Sequence, residues 1–110
     1  MQAVLKCPKI AIIRPHGNLN AANALEFERD LTTALTQEAV SILLVDLAGV
    51  ESLDSAGLMA LVSALKLAQN LGCSLRLCSA SPAIKIIFEL TQLDSVFEFE
   101  GKAELAVVST

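Results

Sequence analysis

The sequence predicts an α/β fold in a single domain, with a four- to five-stranded mixed sheet and helices packed mainly on one face. Its length of 110 residues and its apolar fraction of 54% suit one domain with a compact core. Short β-branched runs also alternate with longer segments of helical apolar spacing, which is the layer pattern of α/β proteins. We therefore expect right-handed strand–helix–strand crossovers.

The first third of the chain predicts two strands and a helix. Residues 10–13 are rich in β-branched side chains and are followed by Pro15, so they indicate a strand and a break. Residues 3–7 predict a weaker strand, placed antiparallel to the first. Asn20 is expected to cap a helix over residues 21–36. The apolar stripe of that helix comprises Ala24, Phe27, Leu31, Ala34 and Leu35.

The middle third predicts the most regular part of the molecule. Residues 41–47 form a nearly continuous apolar run, which is typical of a central strand covered on both faces. Asp46 interrupts the run near its end, and residues 48–53 are predicted to form a loop. A helix is expected over residues 55–71, and Gly72 supplies its C-terminal stop. The helix stripe comprises Leu58, Leu61, Val62, Leu65 and Ala68.

The last third predicts two strands, over residues 74–78 and 96–99, and two short helices. Ser81 followed by Pro82 is a helix start signal, which favours a helix over residues 83–90. Ile86 lies off the apolar stripe of that helix, so we expect it to be exposed. Gly101 is expected to precede the final helix, over residues 102–109.

The charge and the aromatic content exclude one class of partner. The net charge is −4, and the acidic excess lies beyond residue 85. A protein that binds a phosphate backbone would show a clustered basic surface instead. With only four Phe and neither Trp nor Tyr, a base-stacking platform is also excluded. We expect no nucleic-acid partner.

The cysteines and the histidine favour neither a disulfide framework nor a metal site. The spacing of Cys7, Cys73 and Cys78 fits neither a disulfide set nor a redox motif, and His16 has no cysteine or histidine beside it. We therefore expect no metal and no cofactor. The first residues show no basic segment followed by an apolar one, and no apolar stretch approaches about twenty residues, so we expect a cytoplasmic protein without membrane insertion.

One loop carries the chemistry that the sequence offers. Ser55 stands between the predicted central strand and the predicted long helix, as the N-cap or the first helical residue. Backbone N–H groups without partners and the helix dipole favour an anion there. Gly57 is expected to let another surface approach the backbone closely. The plain alternative is that Ser55 is only a helix cap. A hydrolase would need His16 beside Ser55 and a G-x-S-x-G elbow, which is absent, as is a phosphate-binding loop.

Four segments of the sequence resemble one known family. These segments are residues 17–20 (GNLN), 45–58 (VDLAGVESLDSAGL), 78–90 (CSASPAIKIIFEL) and 93–97 (LDSVF). Together they resemble the STAS domain of the bacterial anti-sigma factor antagonists, in the right order over nearly the whole chain. The resemblance implies a STAS domain over residues 1–110. It also implies a binding module in signal transduction and transcription regulation, not an enzyme with catalytic residues.

The resemblance further implies a phosphorylation switch at Ser55. In the family this serine is phosphorylated by a partner serine kinase that is also the anti-sigma factor; the unmodified antagonist sequesters that kinase, and a serine phosphatase resets the phosphorylated form. The implied docking surface comprises Asn20, Asp54, Ser55, Ala56, Gly57, Met59 and Ser63. Asn20 replaces the Asp usual in the family, and Ala56 replaces a frequent Ser or Thr. The alternative is a STAS component of a lipid-transport or stress-sensing complex. We expect a monomer or a weak dimer.

Overall fold

The computed structural model describes residues 9–37 and 40–100 of the chain. Strand segments alternate with single helices along it, as predicted, with two strands in succession before each of the first two helices. In chain order the elements are β1 (Lys9–Ile13), β2 (Gly17–Leu19), α1 (Ala24–Leu35), β3 (Val40–Asp46), β4 (Val50–Leu53), α2 (Ser55–Leu71), β5 (Ser74–Cys78), α3 (Pro82–Leu90) and β6 (Glu98–Glu100).

The strands form two sheets. The larger sheet has the order β1-β3-β5-β6, and β2 pairs with β4 in a smaller one. All strand pairs among the described residues are parallel, so helices make the crossovers between them. This architecture confirms the predicted α/β fold class. The antiparallel strand predicted over residues 3–7 and the helix predicted over residues 102–109 lie outside the described residues.

The core lies between the larger sheet and the helices. The sheet contributes four buried side chains to it, Leu43 and Val45 from β3 and Leu75 and Leu77 from β5. On the opposite face of the sheet, Leu44 of β3 and Cys78 form a second buried cluster with Ile10 and Ile12. β3 is therefore buried on both faces, as its continuous apolar run predicts. The helices contribute Phe27, Leu31, Leu35, Leu58, Leu61, Ala64, Ala68, Ile84 and Phe88 to the main cluster.

The start of α1 differs from the prediction. The helix begins at Ala24 with Asn23 at its N-cap position, so the expected cap at Asn20 and the expected start at residue 21 are wrong. The side chain of Asn20 instead accepts a hydrogen bond from the N–H of Ala22 at 2.9 Å. The N–H of Asn23 bonds to the carbonyl of Asn20 at 3.1 Å. This asparagine turn holds the backbone out of the helix for three residues.

The other helix ends agree with the sequence. Gly72 terminates α2 in the left-handed conformation, with a φ of 74° that suits glycine. Ser81 caps α3, whose first residue is Pro82. The strands β2 and β4 were not predicted, because three or four residues with exposed polar members do not display a clear alternation. Both flank the candidate site.

Candidate functional site

The two strands of the smaller sheet bring separate parts of the chain to one end of the molecule. Leu19 at the end of β2 lies beside Leu53 at the end of β4. Immediately beyond β4, the N–H of Asp54 donates to the carbonyl of Leu19 at 3.0 Å. The hydroxyl of Ser52 also donates to Oδ1 of Asn18 at 2.7 Å. The residues after β2 and the start of α2 are thereby held next to each other.

Asp54 caps α2, and Ser55 is the first residue of the helix. Oδ1 of Asp54 accepts hydrogen bonds from the N–H groups of Ala56 at 2.9 Å and Gly57 at 3.2 Å. The hydroxyl of Ser55 has no hydrogen-bond partner among the residues that the structure describes, and the residue is exposed. Of the two positions that the sequence left open for Ser55, the structure selects the first helical residue.

The cap modifies the expected anion site. The sequence predicts unpartnered N–H groups at the start of α2, but those of Ala56 and Gly57 are already bonded to the Asp54 carboxylate. A phosphoryl group on Ser55 would therefore lie beside a carboxylate that occupies these two donors. Helix-dipole attraction and carboxylate repulsion would act on it together. Because Ser55 is exposed, such a group would meet solvent or a bound partner.

Gly57 lets α2 approach the end of β2 closely. A Cβ atom at this position would lie 2.7 Å from the carbonyl oxygen of Leu19 and 2.9 Å from both the Leu19 Cβ and the Leu53 Cδ1. These distances are too short for any side chain, so the glycine is required by packing within the chain itself. Because Gly57 is buried, it contributes to the surface only by positioning its neighbours.

The turn that contains Asn20 borders the same surface. Its carbonyl and side chain are both used within the turn, as described above, and its N–H donates to Oδ1 of Asn23 at 3.0 Å. The amide of Asn23 in turn donates to the carbonyl of Asn18 at 2.8 Å. Asn20 directly follows Leu19, whose carbonyl binds Asp54. The turn is thus rigidly connected to the strand that supports the start of α2.

The exposed side of α2 carries the remaining predicted site residues. Ser55, Met59 and Ser63 follow each other at intervals of four, so they share one face of the helix. Met59 is 57% exposed, and Ser63 and Ala56 are partly buried. Leu25, in the first turn of α1, is 70% exposed and lies off the apolar stripe of that helix.

Three other side chains with reactive groups, those of His16, Asp46 and Cys73, make contacts within the fold. His16 is exposed and lies against the turn at Gly49. Asp46 is buried, accepts from the N–H of Ala48 at 3.0 Å, and pairs with Arg14 at 3.2 Å, so it fixes the turn after β3. The thiol of Cys73 donates to the carbonyl of Val40 at 3.1 Å.

Residues 9–37 and 40–100 contain no group of His, Cys, Asp and Glu side chains arranged to hold a metal ion. Among these residues, no helix combines the length and the apolar character needed to cross a membrane.

Comparisons with known proteins agree on the fold. The family model for the STAS domain matches residues 3–106. TM1081 of Thermotoga maritima, assigned as an anti-sigma factor antagonist, has a TM-score of 0.80 and 25% identity, covering 91% of this chain and 86% of that one. The unphosphorylated anti-sigma factor antagonist SpoIIAA has a TM-score of 0.76 and 18% identity, with 97% and 90% covered. Phosphorylated SpoIIAA of Bacillus has a TM-score of 0.71 and 18% identity, with 98% and 96% covered.

Proposed function

The chain belongs to the STAS domain family, and on that premise we propose that it is an anti-sigma factor antagonist switched by phosphorylation. In its unphosphorylated form it binds and sequesters a serine kinase that is also an anti-sigma factor. Phosphorylation of Ser55 by that kinase releases the complex, and a serine phosphatase resets the chain. The kinase supplies ATP and the catalytic groups, so this cytoplasmic chain acts as a binding module and not as an enzyme.

The position of the Ser55 hydroxyl is the observation that carries this proposal. Ser55 is exposed, and its hydroxyl is not needed as a cap, because Asp54 already satisfies the N–H groups of Ala56 and Gly57. A phosphate acceptor must enter a kinase active site without unfolding its own helix. Ser55 meets this requirement, since its hydroxyl makes no hydrogen bond with the described residues.

The proposed docking surface surrounds this hydroxyl. It comprises Asn20, Asp54, Ser55, Ala56, Met59 and Ser63, with buried Gly57 supporting the backbone beneath them. Met59 supplies an exposed, flexible apolar contact at the middle of the face. Asp54 supplies a charge beside the acceptor. The surface therefore offers an apolar contact, hydrogen-bonding groups and the acceptor to one protein partner.

Charge and desolvation account for the proposed release. A phosphoryl group adds about 1.5 to 2 negative charges at neutral pH. On Ser55 this charge would lie next to the Asp54 carboxylate, in an interface that fits the neutral hydroxyl. Both the repulsion and the cost of burying the phosphate weaken such a complex.

Two residues distinguish this site from the usual family pattern. Asn20 is neutral, so the local negative charge near Ser55 is lower by one than with the usual Asp. Its Oδ1 is bonded to the N–H of Ala22. Ala56 has no hydroxyl, so the stretch from Asp54 to Gly57 offers Ser55 as its one acceptor. We expect phosphorylation at a single position within this stretch.

Phosphorylation with a cognate serine kinase tests the proposal. We expect ATP and the kinase to add one phosphoryl group, located on Ser55 by mass spectrometry. Ser55→Ala should remain unmodified, whereas Ser95→Ala, which removes an exposed hydroxyl outside the docking surface, should be modified normally. Ser55→Asp should bind the kinase about tenfold more weakly than the wild type, which corresponds to about 1.4 kcal/mol.

Two results would contradict the proposal. Phosphate on a residue other than Ser55 would show that Ser55 is not the phosphate acceptor. If the wild type and Ser55→Asp bound the kinase with equal affinity, charge repulsion would not be the cause of release. If a pull-down with wild-type and Ser55→Ala chains retrieves a transport or stress-sensing complex without a kinase, the alternative STAS role replaces this one.

A further inference from the structure

Helix α3 presents an apolar face that the described part of the fold leaves uncovered. Ile84 and Phe88 point into the core, which places Ala83, Ile86 and Leu90 on the outer side of the helix. Ile86 is 51% exposed and Leu90 is 78% exposed, and Ala83 is also exposed. Isolated exposed apolar residues are common, but three on the outer side of one nine-residue helix form a continuous patch.

The two edges of this face have different chemistry. Around the helix, Ala83 and Leu90 lie on one side of Ile86, and Lys85 and Glu89 lie on the other. Lys85 and Glu89 are both exposed, and neither takes part in an ion pair with the described residues. The face is therefore a strip of apolar side chains. The positive charge of Lys85 lies towards one end of it and the negative charge of Glu89 towards the other.

We propose that this α3 face, defined as Ala83, Lys85, Ile86, Glu89 and Leu90, binds the same face of a second copy of the chain. A two-fold axis at the middle of α3 would place the two helices antiparallel and bring the same edges together. Lys85 of each copy would then face Glu89 of the other. On the opposite edge, the small Ala83 would receive the large Leu90 of the other copy, and the two Ile86 side chains would meet near the axis.

The contact between the two α3 faces depends on where the paired residues lie along the helix as well as on their chemistry. The pairs Ala83–Leu90 and Lys85–Glu89 are both centred close to residue 87, so one antiparallel arrangement satisfies both of them. A parallel arrangement would place Lys85 against Lys85 and Glu89 against Glu89, which is repulsive. The α3 face is complementary to itself both in charge and in side-chain size. Both properties favour a second copy of the chain over an unrelated partner.

The contact is small and should be weak. Stable interfaces bury about 800 Å² on each partner. One face of a nine-residue helix offers less than this, so we expect a dissociation constant of about 0.1 to 1 mM. The proposal concerns α3 and is independent of the role of Ser55.

Sedimentation equilibrium of the full chain tests the proposal. The wild type should show a monomer–dimer equilibrium as its concentration rises to about 1 mM. Lys85→Glu and Glu89→Lys should each weaken dimerisation about tenfold, because each places like charges opposite one another. The double variant Lys85→Glu/Glu89→Lys restores opposite charges and should return the dissociation constant to within about threefold of the wild type. All of these positions are exposed, and circular dichroism would check that the variants fold.

A matched control lies on α2. Leu71 is 48% exposed, similar to Ile86, but it is outside the α3 face. Leu71→Ser should leave dimerisation unchanged, whereas Ile86→Ser should weaken it. A chain that remains monomeric throughout the concentration range overturns the proposal, and so does a double charge exchange that fails to restore the dimer.

Discussion

Helices α2 and α3 both begin next to a serine, but they use that serine in opposite ways. At α3, the hydroxyl of Ser81 is the cap and accepts from the N–H of Ile84 at 3.3 Å. At α2, the carboxylate of Asp54 is the cap, and Ser55 follows it as the first helical residue. A serine at the N-cap position therefore stabilises the helix start. A serine one position later leaves its hydroxyl available for chemistry.

The residues beneath the two helix starts differ as well. Three positions after each cap stands Gly57 in α2 and Ile84 in α3. Ile84 fills the core with a buried side chain, while Gly57 allows the backbone of α2 to lie against Leu19. The start of α2 is thus tied to β2 by backbone contact. This makes α2 the better support for a surface that must keep its shape when a partner binds.

Gly57→Ala should give the largest effect, because it removes this backbone contact. The added Cβ would meet the carbonyl oxygen of Leu19, and neither backbone segment can move without disturbing β2 or α2. We expect a loss of about 2–3 kcal/mol in the free energy of unfolding, measured by urea denaturation.

Gly72→Ala is the matched control for this substitution at the other end of α2. Nothing lies within 4 Å of a Cβ atom there, so only the left-handed backbone is strained. The expected loss is about 1 kcal/mol. Equal losses for both variants would contradict the close-packing explanation for Gly57.

Removing either cap should give an intermediate effect. Asp54→Ala deletes the acceptor of two N–H groups, and Ser81→Ala deletes the acceptor of one. We expect losses of about 1–2 kcal/mol for Asp54→Ala and about 1 kcal/mol for Ser81→Ala in urea denaturation. If Asp54→Ala cost nothing, Asp54 would not be the cap, and the availability of the Ser55 hydroxyl would need another explanation.

The two helix starts also differ in how completely the sequence predicts them. The cap at Ser81 was predicted because a proline marks the first helical position unambiguously. At α2 the Asp54-Ser55 pair contains two good cap residues in succession, so the sequence alone left two positions for Ser55. Only the backbone conformation, extended at Asp54 and helical from Ser55, separates them.

The pieces of the site that the sequence missed depend on contacts between distant residues. The strands β2 and β4 are short, and each is recognisable mainly through its pairing with the other. The start of α1 was misplaced because asparagine suits both a helix cap and a turn, and the bond from Ala22 to Asn20 selects the turn. Long apolar elements such as β3 and α2 were predictable, because burial of a periodic face depends on the local pattern.

Of these variants, Ser55→Ala should have the smallest effect on stability. Ser55 is exposed and its hydroxyl makes no hydrogen bond with the described residues, so removal of the hydroxyl leaves Asp54 capping α2 as before. We expect the free energy of unfolding to change by less than about 0.5 kcal/mol, against about 1 kcal/mol for Ser81→Ala. Urea denaturation of the two variants side by side measures the difference. A loss at Ser55 equal to that at Ser81 would mean that this hydroxyl supports the fold, and a serine that supports the fold is a poor choice for a switch.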